Sequence, residues 1–480
     1  MLKNSWTKFT LTLITIVSQT FFKLPVSAVT NSYCQLDQNT ITIKENLRQK
    51  AIAGNTAAQQ EYKQMLQQHG NLLRNCRQNN WLKEQAIWVR LYPCDVQAGS
   101  IDKVLDTVVN QGYNAVYLEV FFDSQVLLPK NGNYTPWPSV IDVSGQENRD
   151  LYAETLQKGR ERGLKVYAWL FSMNFGYLYS QKPDRQPALA RNGKGQSSID
   201  VVHDQSQAFI DPYNSQARQD YTQLLQAVIQ RRPDGVLFDY IRYPRGSGQQ
   251  SVVSKVKDLW IYGDASKQTL FRRAQNQQGR WLLERYVNQG FINANDIAQM
   301  KNLYPDEKTP LWQGRSASAP NTLSVLQIDI WYFTVAHAAQ GVIDFLDFAS
   351  NQVKQRGITT GAVFFPDGNQ VVGDVGFDSR LQPWDSFSQN MEWHSMSYAL
   401  CGNPNCIVDQ VKRVLSASSQ GSNVMPVLAG FWGRNEGKRP SLESQMEAIR
   451  TSAKPVQSIS HFAYSWLYPE HTRQRQSCSL

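Results

Sequence analysis

The chain contains no CxxC pair and no histidine cluster, so the usual ligand spacings for a bound zinc ion are missing. It also has no Gly-x-Ser-x-Gly elbow, no Ser-His-Asp arrangement and no phosphate-cradling glycine loop. Serine-nucleophile chemistry and nucleotide-dependent chemistry therefore lack their residues. Basic residues are scattered and form no long run despite a formal charge of +9, of which Lys3, Lys8 and Lys23 at the extreme N-terminus contribute three. Nucleic-acid binders gather such charge on one face, so nucleic acid is not the expected partner. After the first residues, no apolar stretch approaches the ~20 residues that a membrane-spanning helix needs.

Lys3 and Lys8 precede an apolar stretch from Phe9 to Phe22, which is followed by Val26-Ser27-Ala28. This order of a charged segment, an apolar segment and small residues predicts a signal peptide over residues 1–28, cut after Ala28. Ser18 and Gln19 interrupt the apolar stretch, which argues against a retained anchor. The expectation is a secreted, periplasmic or cell-envelope protein with no stable membrane insertion after cleavage. Six cysteines (Cys34, Cys76, Cys94, Cys401, Cys406 and Cys478) lie beyond the cut. An even number in an exported chain favours disulfides. Cys401 and Cys406 are spaced for a local loop staple, and the remaining pairings are open. The chain also has 13 Trp and 21 Tyr, whose flat faces suit stacking on sugar rings and suit a core equally well.

Residues 29–84 read as an N-terminal helical extension, polar and Gln-rich, with breaks near Gly54 and Gly70. From residue 85 onward come eight short apolar runs: Ala86–Tyr92, Ala115–Phe121, Leu164–Phe171, Gly235–Ile241, Thr359–Phe365, Glu392–Tyr398, Val424–Phe431 and Ile459–Leu467. Helical spacing separates most of them, as in Ile101, Val104, Leu105 and Val108 after a predicted N-cap at Ser100, closed by Gly112. Alternation of this kind predicts a (β/α)8 TIM barrel over residues 85–480. A long helical insertion, residues 246–325, follows the fourth strand and is expected to lie over the barrel mouth. Few residues follow Leu467, so the N-terminal helices are expected to cover the seam between the last strand and the first.

The fourth run ends as Phe238-Asp239-Tyr240-Ile241-Arg242-Tyr243-Pro244. A buried strand has no reason to finish in charges unless they meet something at the rim, and in α/β barrels that rim carries the chemistry. Asp239 is the leading catalytic candidate, and a structural salt bridge to Arg242 or Arg245 is the competing explanation. Asp367, after the fifth run, is the expected second carboxylate, although Pro366-Asp367-Gly368 also reads as a turn. Asp378 and Asp385 are alternates, with Glu392 and Glu470 behind them. Arg90 and Glu119 interrupt the first and second runs and are expected to pair, because buried charges are expensive alone. Candidate substrate-binding residues are Arg90, Glu119, Trp169, Asn174, Arg242, His394, Tyr398, Trp432, Tyr464 and Trp466, with ordinary core packing as the alternative for the aromatics and His394. Carboxylates with aromatics, and no metal or cofactor motif, suit glycoside hydrolysis of a polysaccharide or oligosaccharide. The rival expectation is a noncatalytic glycan-binding or envelope scaffold protein on the same barrel.

At these residues the chain resembles the TIM-barrel glycosyl hydrolase-like families often labelled "family 10 glycosylhydrolase". The segment Phe238 to Pro244 is similar to that family's FDYIRFP or FDDYRYP strand. Trp88, Asn114-Ala115-Val116-Tyr117, Pro136-Trp137-Pro138, Ala168-Trp169-Leu170, Phe209-Ile210-Asp211-Pro212 and Ser395-Met396-Ser397-Tyr398 extend the likeness. The resemblance implies a hydrolase acting on a bacterial surface or environmental polysaccharide through Asp239, and carboxylate chemistry of this kind requires no metal or organic cofactor. Glu119 departs from the neutral polar residue expected there.

Overall fold

The computed structural model describes residues 33–202, 204–419 and 423–478, so the predicted leader lies outside the described residues. Eight parallel strands form the centre: β1 (Glu84–Val89), β2 (Ala115–Phe122), β3 (Lys165–Phe171), β4 (Gly235–Asp239), β5 (Thr359–Phe364), β6 (Glu392–Ser395), β7 (Val427–Ala429) and β8 (Ser458–Phe462). The hydrogen-bonded order runs β6-β5-β4-β3-β2-β1-β8-β7. Isolated parallel bridges Trp393↔Val424 and Met396↔Val427 join β6 to β7 and close the ring. The fold is the expected (β/α)8 barrel. Both faces of its strands are covered, which is why Ala115–Phe122 is buried at every position.

The helices are α1 (Gln38–Ile52), α2 (Thr56–Gln78), α3 (Ser100–Asn110), α4 (Leu151–Glu161) and α5 (Ser215–Ile229), then α6 (Asp264–Arg272), α7 (Gln277–Gln289) and α8 (Ala294–Leu303) of the insertion, then α9 (Leu323–Lys354), α10 (Asn405–Ala417), α11 (Leu442–Ser452) and α12 (Pro469–Ser477). Four expectations need correction. The chain crosses from β5 to β6 without an α-helix, through a short 3-10 turn at Trp384–Ser386, so the alternation is not strict. Gly70 does not break a helix but lies inside α2, where a Cβ would stand 2.5 Å from the Arg162 carbonyl oxygen. Its lack of a side chain permits close packing. Ser100 is the first residue of α3, and Gly99 holds the cap position. Finally, the N-terminal helices do not cover the seam alone: α2 packs on α3 and α4 and reaches β1 through Arg77, which donates to Gln85 Oε1 at 2.6 Å, while Tyr464–Leu467 of the C-terminal segment packs beside β1.

That C-terminal segment is firmly held. Buried Arg475 donates to Asp95 Oδ1 and Oδ2 at 2.8 and 2.6 Å and to the Arg90 carbonyl at 2.8 Å. Cys94–Cys478 bonds the end of α12 to the turn after β1, while Cys34–Cys76 and the expected local staple Cys401–Cys406 complete the pairing. The insertion packs sideways against the loop that follows β3, through Gly193 N to Lys257 O (2.9 Å) and Tyr262 N to Arg191 O (2.9 Å). The cap position of α6 is Gly263, which has no side chain to cap with. Asp211 caps α6 from outside, accepting from Ser266 N at 2.9 Å and from its own turn at Tyr213 N at 3.0 Å. Asp211 is thus a structural carboxylate, and burial raises it to about 6.

The barrel interior is filled in layers. At the N-terminal end, Tyr117 donates to Glu84 (3.3 Å) and Tyr167 donates to Glu392 (3.2 Å). Gly235 makes room for this plug, because a Cβ there would fall 1.9 Å from the Tyr167 ring. Above it, Trp88 stands edge-on to both Tyr117 and Trp169, with Nε1 bonded to Ser460 Oγ at 3.0 Å. The third layer, at the C-terminal ends of the strands, holds the site.

Candidate active site at the C-terminal ends of the strands

Register places Asp239 opposite Phe171 on β3, so Trp169, two residues earlier, shares its inward face. Trp169 Nε1 donates to Asp239 Oδ2 at 3.0 Å, and Tyr240 N donates to Oδ1 at 2.6 Å. Asp239 is 7% exposed. No cation lies within ion-pair distance of it among the described residues, so the salt bridge to Arg242 or Arg245 does not form. Burial pushes its carboxyl up to about 6, against the pull of the Tyr240 amide, the Arg242 charge and the Trp169 indole. A barrel strand ending in a buried, unpaired, doubly hydrogen-bonded carboxyl fits a functional group better than a structural one.

Tyr240 was not singled out by the sequence. Its φ of +50° puts a bulky residue in the left-handed region, directly after Asp239. Its ring lies 4.1 Å from that of Phe171, and the Arg242 guanidinium stands 4.6 Å from it. These contacts hold a backbone turn that aims an amide at the Asp239 carboxyl, and stored strain of this kind collects at functional sites.

The expected pair across β1 and β2 forms. Arg90 Nε and Nη2 both donate to the Glu119 carboxylate, the second at 2.9 Å. The Glu119 side chain is wholly covered, whereas that of Arg90 is 37% exposed at the rim. Burial pushes Glu119 up to about 7; Arg90 opposes the rise, and the charges on Asp123 and Asp239 add to it. Glu119 and Asp239 therefore feel one another. Tyr398 is the other group in this field, raised by burial and by the Asp239 charge. From Tyr398 an aromatic row continues through Phe462 (6.2 Å) to Trp466 (5.8 Å), and Arg439 stands 5.4 Å from the Trp466 ring. Arg242 is buried and bonded to its neighbour's carbonyl, Tyr243 O, at 2.9 Å, and burial lowers it.

The structure thus gathers Arg90, Glu119, Trp169, Asp239, Arg242 and Tyr398 and continues to Trp466. It places the other candidates elsewhere. Asp367 occupies the turn after β5 with its side chain 41% exposed, paired to Arg380 at 3.2 Å, and no contact joins it to Asp239. Asp378 pairs with the same arginine, and Glu470 pairs with Arg473 on α12. Glu392 belongs to the plug at the opposite end. His394 is a core histidine, edge-on to Trp88 and Tyr117, with Nε2 3.2 Å from Glu392. Asn174 is buried and accepts from Gly176 N at 3.1 Å within its own turn. Trp432 donates to Tyr113 Oη at 3.1 Å and packs on Tyr33 and His461, away from the inward-facing residues. Tyr464 and Trp466 were expected on the last strand, but β8 ends at Phe462 and both lie in the helical turn Tyr464–Leu467. Tyr464 is buried there, bonded to His471 Nδ1 at 2.8 Å. Among the described residues no group of His, Cys, Asp and Glu has the geometry to hold a metal ion.

Residues 73–291 match the family described as Glycosyl hydrolase-like 10. The resemblance carried by Phe238 to Pro244 is borne out across those residues, which include Arg90, Glu119, Trp169, Asp239 and Arg242 and leave Asp367, Tyr398 and Trp466 outside. No curated protein matches the chain. Among solved structures, the chain is similar to the glycoside hydrolase domain of PgaB (BpsB) from Bordetella bronchiseptica, with 15% identity, 82% of this chain and 98% of that chain covered and a TM-score of 0.45. It is also similar to a GH20 exo-β-N-acetylglucosaminidase from Vibrio harveyi, with 9% identity, coverages of 85% and 59% and a TM-score of 0.39. A hypothetical protein from Ruminiclostridium thermocellum ATCC 27405 is 18% identical, with 33% of this chain and 77% of that chain covered and a TM-score of 0.25.

Proposed function

We propose that this chain is an exported glycoside hydrolase that cleaves a polysaccharide, with Asp239 as the carboxyl group acting on the reacting sugar. The observation that carries the reading is the state of Asp239: buried, with no cation within ion-pair distance among the described residues, and raised to about 6. A carboxyl in that range changes protonation near neutral pH, as acid and base roles at a glycosidic oxygen require. Trp169 and the Tyr240 amide each hold one of its oxygens, so its plane is set before substrate arrives. The match to the Glycosyl hydrolase-like 10 family supports carbohydrate processing in general.

For the second carboxyl, sequence favours Asp367, whereas the geometry favours Glu119, which shares the field of Asp239 while Asp367 is occupied by Arg380. Arg90, partly exposed beside Glu119, is placed to meet a sugar hydroxyl or carboxylate at the rim. Three cystines agree with export, and among the described residues no helix is long and apolar enough to cross a membrane.

The test is sugar release from cell-wall and exopolysaccharide panels by wild type, Asp239→Asn, Glu119→Gln and Asp367→Asn. Loss of roughly 10²-fold or more is expected at Asp239 and Glu119, and near-wild-type release at Asp367. Equal release by wild type and Asp239→Asn removes Asp239 from the mechanism. One observation favours the noncatalytic glycan-binding reading: Glu119 is wholly covered and already engaged by Arg90, which leaves Asp239 without a second free buried carboxyl beside it among the described residues. Glycan binding without turnover by any panel member decides for that reading.

A further inference from the structure

A cavity of about 400 Å³ is walled by residues 192–202 of the loop after β3, by residues 244–260 beyond β4 and by Ser379. Its size falls within the roughly 300–1,000 Å³ of ordinary ligand clefts. The extension of β4 that carries Asp239 supplies Pro244 and Gly246 to its wall, so it is continuous in the chain with the site. Lys194, Lys255 and Lys257 line it against one carboxylate, Asp258, and Trp260, Gln249 and Asn192 are among the remaining residues. Among the described residues the ammonium groups of Lys194 and Lys255 form no ion pair or hydrogen bond, whereas that of Lys257 is held on the Asn288 carbonyl and over the Tyr262 ring, outside the cavity lining.

The wall is preformed. Asn192 Oδ1 accepts from Lys194 N (2.9 Å) and Gln196 N (3.0 Å), which folds the loop carrying Lys194. The Lys257 stem crosses Gly193, where a Cβ would lie 2.4 Å from its Cδ, and its ammonium is fixed on the Asn288 carbonyl at 3.0 Å. Gly193 is needed here for that close approach.

We propose that this cavity binds an acidic segment of the glycan whose cleavage is assigned to Asp239, and that the polymer carries uronate-type carboxylates. The ammonium groups of Lys194 and Lys255 pair with such carboxylates, and Gln249 and Ser254 meet hydroxyls beside the largely buried Trp260. A neutral glycan leaves the cations without partners. The assignment rests on the glycan reading of the Asp239 site but not on turnover there.

The test is calorimetric titration of the mature chain, as wild type and as Asp239→Asn, with short oligogalacturonates and with neutral gluco-oligosaccharides of equal length. The acidic series is expected to bind about tenfold more tightly at low salt and to lose that advantage at high salt. Lys194→Glu with Lys255→Glu, both on exposed side chains, is expected to reduce acidic binding about tenfold, while Asp258→Asn strengthens it. Equal affinity for the two series, or no change in the reversed-charge variant, overturns the proposal. Acidic binding without turnover of any glycan overturns the hydrolase reading and leaves this site standing. Asp239-dependent turnover of a neutral polymer, with no acidic binding, overturns this site alone.

Discussion

Trp169 Nε1 donates to Asp239 Oδ2 at 3.0 Å across adjacent strands β3 and β4. The bond favours the charged carboxylate and restrains the rise that burial causes. Trp169→Phe is therefore expected to raise Asp239 further above about 6. The limb of the pH–rate profile that reports Asp239 should move to higher pH, by up to about one unit. An unmoved limb shows that the indole does not tune the carboxyl.

The same carboxyl has a stability signature. Its folded value of about 6 exceeds the ordinary 3.8, so between those values the folded chain holds a proton that the unfolded chain has released. Its contribution is present below about 3.8 and is lost as pH rises through about 6. Asp239→Asn is expected to be more stable than wild type at pH 7 by about 1–3 kcal/mol, with the difference shrinking toward pH 4. Urea denaturation at several pH values checks this.

Arg90→Gln leaves Glu119 buried without its cation. A loss of about 2–4 kcal/mol is expected, somewhat below the value for a fully buried pair because the arginine side chain is partly exposed. Adding Glu119→Gln in the same chain should recover part of that loss, since both charges are then gone. A double-mutant cycle by chemical denaturation reads the coupling, and simple additivity denies it.

Lys44 on α1 is 1% exposed, and its ammonium has no hydrogen-bond partner among the described residues. Burial lowers it to about 8, opposed by Asp106 and reinforced by Arg162, with Glu45 adding a small upward pull. Between about 8 and 10.5 the unfolded chain keeps the proton and the folded chain has released it, so stability from this group rises with pH. Lys44→Met is expected to be more stable near pH 7 by about 2–3 kcal/mol and to lose that rise. Parallel pH–stability curves for the two proteins contradict the assignment.

Gly70→Ala tests the packing of the N-terminal helices. Its Cβ meets the Arg162 carbonyl oxygen at 2.5 Å, and that backbone atom cannot swing aside. A cost of about 1–3 kcal/mol is expected from the clash, although alanine is the better helix former. A stabilised Gly70→Ala variant, measured by thermal unfolding, shows that α2 does not pack this closely on α4.

The eight strands were legible in the chain because each is a short apolar run between turn residues and helical spacing. The Arg90–Glu119 pair was legible because two charges within buried runs have few affordable partners. Asp239 stood out for a related reason, as a charge at the end of an apolar strand. Other positions depend on where elements stop and which way they turn, and one-dimensional spacing does not encode that. Glu392 and His394 alternate correctly on β6, yet β6 presents them to the plug and the core rather than to the mouth. The apolar run to Leu467 continues past the point where the backbone leaves β8 and coils, which moves Trp466 onto a helical turn.

The sequence alone determined the barrel, the buried pair and the carboxyl at the end of β4, since each follows from the cost of removing apolar or charged groups from water. Only the tertiary structure decided that Asp367 pairs with Arg380, that Tyr240 turns left-handed behind Asp239, and that Lys194 and Lys255 line one cavity. The first two depend on how a connection turns back on itself and the last on loops far apart in the chain meeting in space, and local composition carries no record of which partner each will meet.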